Sequence, residues 1–139
     1  MNYGMTMDDL KVGMKGEQVW EVTRELCTAR GDYLVFSTPS MTRFVEMTAQ
    51  ELARPHLKPG QGQVGTVVNI RHMGPTPIGK KVRCEAELVA IDRRRLTFKA
   101  KVFDDVEQVG EAEHERFVID LDKYMARLKA KIDGKPATS

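Results

Sequence analysis

Long apolar runs, broad basic patches and closely spaced cysteines are all missing from this 139-residue sequence, and each absence removes a class of function. No stretch approaches the roughly 20 apolar residues of a membrane-crossing helix. The start, Met1 to Leu10, has neither a basic opening nor an apolar run. It therefore reads as neither a signal peptide nor a transit sequence, and a cytoplasmic protein with no membrane partner is expected. The formal charge is only +2, and Arg93, Arg94 and Arg95 form the one basic run. That leaves no electrostatic footprint for nucleic acid. Cys27 and Cys84 lie far apart and outside any metal-ligand spacing, so in a reducing compartment two free thiols are expected. His56, His72 and His114 complete no metal set either, and neither a metal nor another cofactor is expected.

What remains is an ordinary globular balance, 41% apolar and 30% charged, in a chain with room for a single domain over residues 1–139. Glu17 to Leu26 alternates, with Trp20, Val22 and Leu26 on one side and Arg24 breaking the pattern, which predicts a first strand. Cys27 to Phe36 reads as a loop leading into a short apolar segment. Thr38 followed by Pro39 marks a helix start: a threonine hydroxyl can accept from a free backbone N–H, and proline at the first helical position loses no bond. Met41, Phe44, Val45, Thr48 and Leu52 then recur at helical spacing to about Ala53. An adjoining face carries Thr42, Glu46, Ala49 and Ala53, which places Glu46 at the margin of whatever covers the helix.

The rest reads as strands. Val64, Thr66, Val68, Ile70 and His72 share one side by the period of two, and the proline- and glycine-bearing loop from Met73 to Lys80 ends the run. Val82, Cys84, Ala86 and Leu88 alternate with charged residues, Ile91 to Arg95 turns, and Leu96, Phe98, Ala100 and Val102 follow. In a last strand near Val109 to Ile119, Glu111, Glu113 and Glu115 take one face while Gly110, Ala112, His114, Arg116 and Val118 take the other. Arg116 thus points to the covered side, where a charge needs a partner or a ligand. Asp120 can cap a closing helix through about Ile132, with Tyr124, Leu128 and Ile132 spaced to dock; the tail from Gly134 reads as frayed. One strand, one central helix and a run of antiparallel strands is an α+β layer order that fits a hotdog arrangement, a sheet wrapped around a helix. A ferredoxin-like fold would need a second helix among the strands, and none is visible.

Thr38, Glu46 and His72 offer a hydroxyl at a helix start, a carboxylate two turns along and an imidazole on a later strand. Helix-start N–H groups can stabilise an oxyanion forming on an attacked carbonyl. A carboxylate can act as nucleophile or orient water, and a histidine can shuttle a proton near neutral pH. Taken singly, each has a structural use: Thr38 as a cap, Glu46 as a solvated helix residue, His72 as a strand-end hydrogen bonder, Arg116 as a salt-bridge partner. His56 and His114 have no companion pattern and read as structural.

The combination is more specific. Phe36-Ser-Thr-Pro-Ser-Met through Phe44-Val-Glu46, His56-Leu-Lys-Pro-Gly60, Val64-Gly-Thr66 through His72, Thr76-Pro77 with Gly79, and His114-Glu-Arg-Phe117 together resemble the fluoroacetyl-CoA thioesterase family of hotdog proteins over roughly residues 11–128. The resemblance implies a homodimer whose two sheets join, with acyl-CoA sites near the subunit interface. It implies that Thr38, Glu46 and His72 form the catalytic set, and that Gly65 and Arg116 lie near the acyl group. Gly65 suits this, since a missing side chain lets a ligand approach the backbone. The fluoroacetyl-specific member carries a longer aromatic-bearing segment before the central helix, part of a lid. Here Cys27 to Phe36 is shorter, and Tyr33 and Phe36 are the aromatic residues available to replace part of it. The expectation is hydrolysis of a small acyl-CoA other than fluoroacetyl-CoA. The competing readings are a non-catalytic acyl-CoA-binding hotdog domain and an enoyl-CoA hydratase.

Overall fold

The structure, a computed structural model, describes residues 9–136. Residues 1–8, most of the start that reads as neither signal peptide nor transit sequence, and 137–139, the end of the tail, lie outside the described residues. The elements run β1 Lys15–Glu21, β2 Cys27–Arg30, β3 Tyr33–Phe36, α1 Thr38–Ala53, β4 Gln61–His72, β5 Lys81–Asp92, β6 Arg95–Phe103, β7 Gln108–Asp120 and α2 Leu121–Ile132. Five strands form an antiparallel sheet in the order β1-β5-β6-β7-β4, wrapped on α1 in the hotdog arrangement. β5, β6 and β7 bury the faces their alternation predicts: Val82, Cys84 and Leu88, then Leu96, Phe98 and Val102, then Ala112, His114, Arg116 and Val118.

α1 supplies the other half of the core. Met41, Phe44, Val45, Thr48, Ala49 and Ala53 are buried, and Phe44 meets Trp20 at a ring separation of 4.5 Å and Phe36 edge-on at 6.2 Å. Each large side chain sequestered this way contributes about 1.5–3 kcal/mol. On the solvent face the register sets Lys101 between Glu85 and Glu111 and Lys99 between Glu87 and Glu113, so opposite charges neighbour one another. The basic run is a hairpin tip, with Arg95 held to Asp92 at 2.9 Å.

Four expectations are corrected. The first strand stops at Glu21, not Leu26. Val22 leaves the sheet because its N–H donates to the Lys80 carbonyl and its own carbonyl accepts from Gly79, and Arg24 begins a 3-10 turn. The segment Cys27 to Phe36 is a hairpin, β2 against β3, closed by a two-residue turn at Gly31, whose φ of 57° suits a residue without a side chain. Ser37, not Thr38, caps α1: it stands just outside the helix in extended geometry and its Oγ accepts from the Ser40 N–H at 3.2 Å. Asp120 does cap α2, but Tyr124, Leu128 and Ile132 do not dock: they are 36%, 46% and 83% exposed. α2 is tied to the body chiefly at its first turn, where the Leu121 N–H donates to the Gly60 carbonyl and its side chain lies over Gly62. Beyond that turn its apolar spacing meets no surface among the described residues.

Candidate active site

The groove where α1 faces β4 and β7 holds Thr38, Glu46, Gly65, His72 and Arg116, in two groups. The first lies at the start of α1. Freed from capping, the Thr38 hydroxyl reaches across 34 residues of sequence to His72 Nδ1 at 2.8 Å. The close approach depends on Gly110, the β7 partner of His72: a side chain there would collide with the Met41 sulfur in the first turn of the helix. Burial lowers the pKa of His72 below its ordinary value of 6.5, opposed by a backbone contact with Gly74. At neutral pH the ring is therefore uncharged, and when Nδ1 carries no proton the Thr38 hydroxyl donates to it.

The second group lies near the middle of α1. Its geometry depends on a bulge that the period of two does not foresee. β4 pairs Gly65 with Arg116 but Val67 with Glu115, so Thr66 is an extra residue and the parity of the strand flips there. Val64 and Thr66 therefore do not share a side with His72 as expected. Gln63 and Gly65 do, opposite the buried Val118 and Arg116, while Val64 sits opposite the exposed Phe117. The flip lays the bare backbone of Gly65 against Glu46: a Cβ on it would stand 2.5 Å from Glu46 Oε2 and 3.3 Å from Arg116 Nη1. The Glu46 side chain is about a third exposed, whereas that of Arg116 is 3% exposed, and they approach to 3.9 Å. Burial draws the Arg116 pKa down and Glu46 opposes this; the guanidinium stays charged.

The structure thus brings Thr38 to His72, and Glu46 to Gly65 and Arg116. The two groups are separated along α1 by roughly 12 Å, eight residues at about 1.5 Å each. Between them Thr42 turns its hydroxyl back to the Thr38 carbonyl at 3.0 Å. Tyr33 and Phe36 do not form a pair over the site: Phe36 is buried in the core and Tyr33 is 72% exposed. Gln50, Gln63 and His114, which the sequence left aside, all touch Arg116. The one signal for them was shared facing, since His114 and Arg116 alternate to the same side of β7. Cys84 is no rival nucleophile, because burial pushes its thiol up to about 11. One concavity, about 1090 Å³, lies among the charged residues of the sheet's solvent face and includes none of the candidate residues. A smaller one, about 470 Å³, is lined by Gln50, Gln63, Arg54 and Lys58 at the end of the groove.

Comparison with known proteins points the same way. The family model described as fluoroacetyl-CoA-specific thioesterase matches residues 17–122. A fluoroacetyl-CoA thioesterase of Streptantibioticus cattleyicolor is 36% identical over 97 residues, 70% of each chain. A solved structure of the fluoroacetyl-CoA thioesterase FlK superposes with a TM-score of 0.83 at 29% identity, over 89% of this chain and 98% of that one. A thioesterase superfamily member of Thermus thermophilus superposes at 0.84 with 20% identity, over 93% and 100%, a likeness of fold.

Proposed function

We propose, from the premise that this chain belongs to the fluoroacetyl-CoA-specific thioesterase family, that Thr38, Glu46 and His72 are the catalytic set with which it hydrolyses a small acyl-CoA. Thioester hydrolysis of acyl-CoA follows from the family; the assignment of residues rests on the groove. The observation that carries it is the 2.8 Å bond between Thr38 and His72, which only folding brings about and which capping by Ser37 leaves free.

In this reading the thioester carbonyl lies in the groove, with the Thr38 hydroxyl and nearby N–H groups oriented toward its oxygen. Glu46 attacks the carbonyl carbon or aligns the water that does so. Where Glu46 attacks, water then splits the resulting anhydride into the product carboxylate and free Glu46, and where water attacks, the product carboxylate forms directly; in both, the C–S bond breaks and the CoA thiolate leaves and takes up a proton. His72, uncharged at neutral pH, accepts and returns that proton. Gly65 makes room for the acyl group, and Arg116 holds the negative charge of the site. Single turnover in oxygen-18 water tests the nucleophilic role of Glu46: label in its carboxylate marks an acyl-enzyme anhydride, and its absence there counts against that route. A panel of short, branched and aromatic acyl-CoAs, read by thiol release, identifies the acyl group. Turnover that persists in both Glu46→Ala and His72→Ala would overturn the residue assignment.

The partner in this reading is a second copy of the chain. β4 is an edge of the sheet, and its Val67 and Asn69 are exposed among the described residues. Pairing of two such edges would enclose the exposed side of Thr38 and Glu46. Sedimentation of a dimer at micromolar concentration is expected; a monomer would refute it. Free Cys27 and Cys84 accord with the cytoplasm as its location.

A further inference from the structure

Arg116 is held by three side chains for which the catalytic set has no use. Its Nε donates to Gln63 Oε1 at 2.6 Å, its Nη2 donates to Gln50 Oε1 at 3.2 Å, and its Nη1 lies 3.2 Å from His114 Nε2. Two of the three are themselves held. The Gln63 amide is pinned at its other end, where Nε2 donates to the Gln50 carbonyl at 3.0 Å. His114 is fully buried, with Nδ1 2.7 Å from the carbonyl of Val67, the residue that follows the Thr66 bulge.

The chemistry of these contacts fixes the ring. A carbonyl only accepts, so Nδ1 carries the proton; a guanidinium N–H only donates, so Nε2 is bare. His114 is thus a neutral imidazole in one tautomer. Its burial and the neighbouring Arg116 charge both keep it uncharged, against the opposing pull of the Val67 bond. All three partners are therefore neutral acceptors. A buried carboxylate in any of these places would have paired with the guanidinium and cancelled its charge. Neutral acceptors fix the direction of the group and leave the charge to act elsewhere. Of the five guanidinium N–H bonds, three are engaged, and Nη1 faces Glu46 Oε2 at 3.9 Å, beyond hydrogen-bond length.

We propose that Gln50, Gln63 and His114 are positioning residues that hold the Arg116 guanidinium in one orientation, its full charge aimed at Glu46 and at the acyl group over Gly65. This rests on reading Glu46 and Arg116 as members of the acyl-CoA site. The gain is preorganisation: a donor fixed before the substrate arrives needs no rearrangement when charge develops. The bulge serves the same end twice, turning Gly65 and Gln63 into the groove and presenting the Val67 carbonyl to His114.

A double-mutant cycle on the purified enzyme tests this, using thiol release from its best acyl-CoA, with melting temperature as the folding control. Gln63→Leu is expected to lower kcat roughly tenfold with KM little changed, and to have no further effect in an Arg116→Ala background. Gln63→Glu, which keeps an acceptor but cancels charge, is expected to lower kcat as well. Gln50→Leu repeats the cycle from the helix side should Gln63→Leu fail to fold. An equal loss in both backgrounds, or no loss in the wild type, overturns the positioning role. If Arg116→Ala alone hydrolyses like the wild type, the reading of the site falls with it, and that single variant identifies which has failed.

Discussion

The start of α1 and its middle are built in opposite ways. Thr38 is exposed and shares a single hydrogen bond with a half-buried His72. Arg116 is 2% exposed and held at Nε, Nη1 and Nη2. A group that passes protons must reach substrate and water, so it is lightly held. A group that supplies charge works best when fixed beforehand, so it is buried and surrounded by neutral acceptors. In the proposed reading, one end of the groove serves exchange and the other rigidity.

Substitutions should therefore separate activity from stability differently at the two ends. His72→Ala is expected to cut hydrolysis by roughly 10²–10⁴-fold, the usual worth of a general acid–base group, while unfolding free energy in urea moves by about 1 kcal/mol or less. Arg116→Ala should lower kcat by roughly 10²-fold and also cost about 3 kcal/mol of stability, because Gln50, Gln63 and His114 lose their donor together. Equal stability losses in these two variants would erase the distinction. Gly65→Ala sharpens it: the new methyl would displace the far end of the Glu46 side chain, which can swing aside, and press at 3.3 Å on the held Arg116 and His114, so about 10-fold of kcat should be lost with a smaller fall in melting temperature than in Arg116→Ala.

The smallest effects are in pH. If His72 acts as a base it must be uncharged, and its pKa is lowered; kcat/KM should stay flat through neutrality and fall only as pH drops below 6.5. An inflection above 6.5 would contradict this. His114 bears on stability instead. Its folded pKa lies below its unfolded 6.5, so in the window beneath 6.5 the unfolded chain binds more protons than the folded one. Stability is complete above 6.5 and declines as pH falls, by at most about 1.4 kcal/mol per pH unit. His114→Gln, which cannot titrate, should flatten that slope in urea unfolding measured between pH 7 and 5.

Much of this site was legible from local pattern. The alternation in β7 alone turned Arg116 inward, and the spacing in α1 set Glu46 at the edge of the buried face. Gly65 entered only through the family resemblance. The run through β4 misled, because a period of two counts residues and a bulge inserts one without any mark in the hydrophobic pattern. Ser37 and Thr38 are both good caps by type; which one lies outside the helix is settled by where the backbone turns. The apolar spacing of α2 is real, yet docking also needs a surface facing it.

The sequence by itself determined the central helix, the buried faces of β5, β6 and β7 and the family, since these rest on short-range periodicity and on residue types in a fixed order. Tertiary structure alone decided that Thr38 meets His72, that the Thr66 bulge delivers Gly65 to Glu46, and that three neutral acceptors enclose Arg116. Each of those contacts joins distant segments, and strand register, which local propensity does not encode, selects among them.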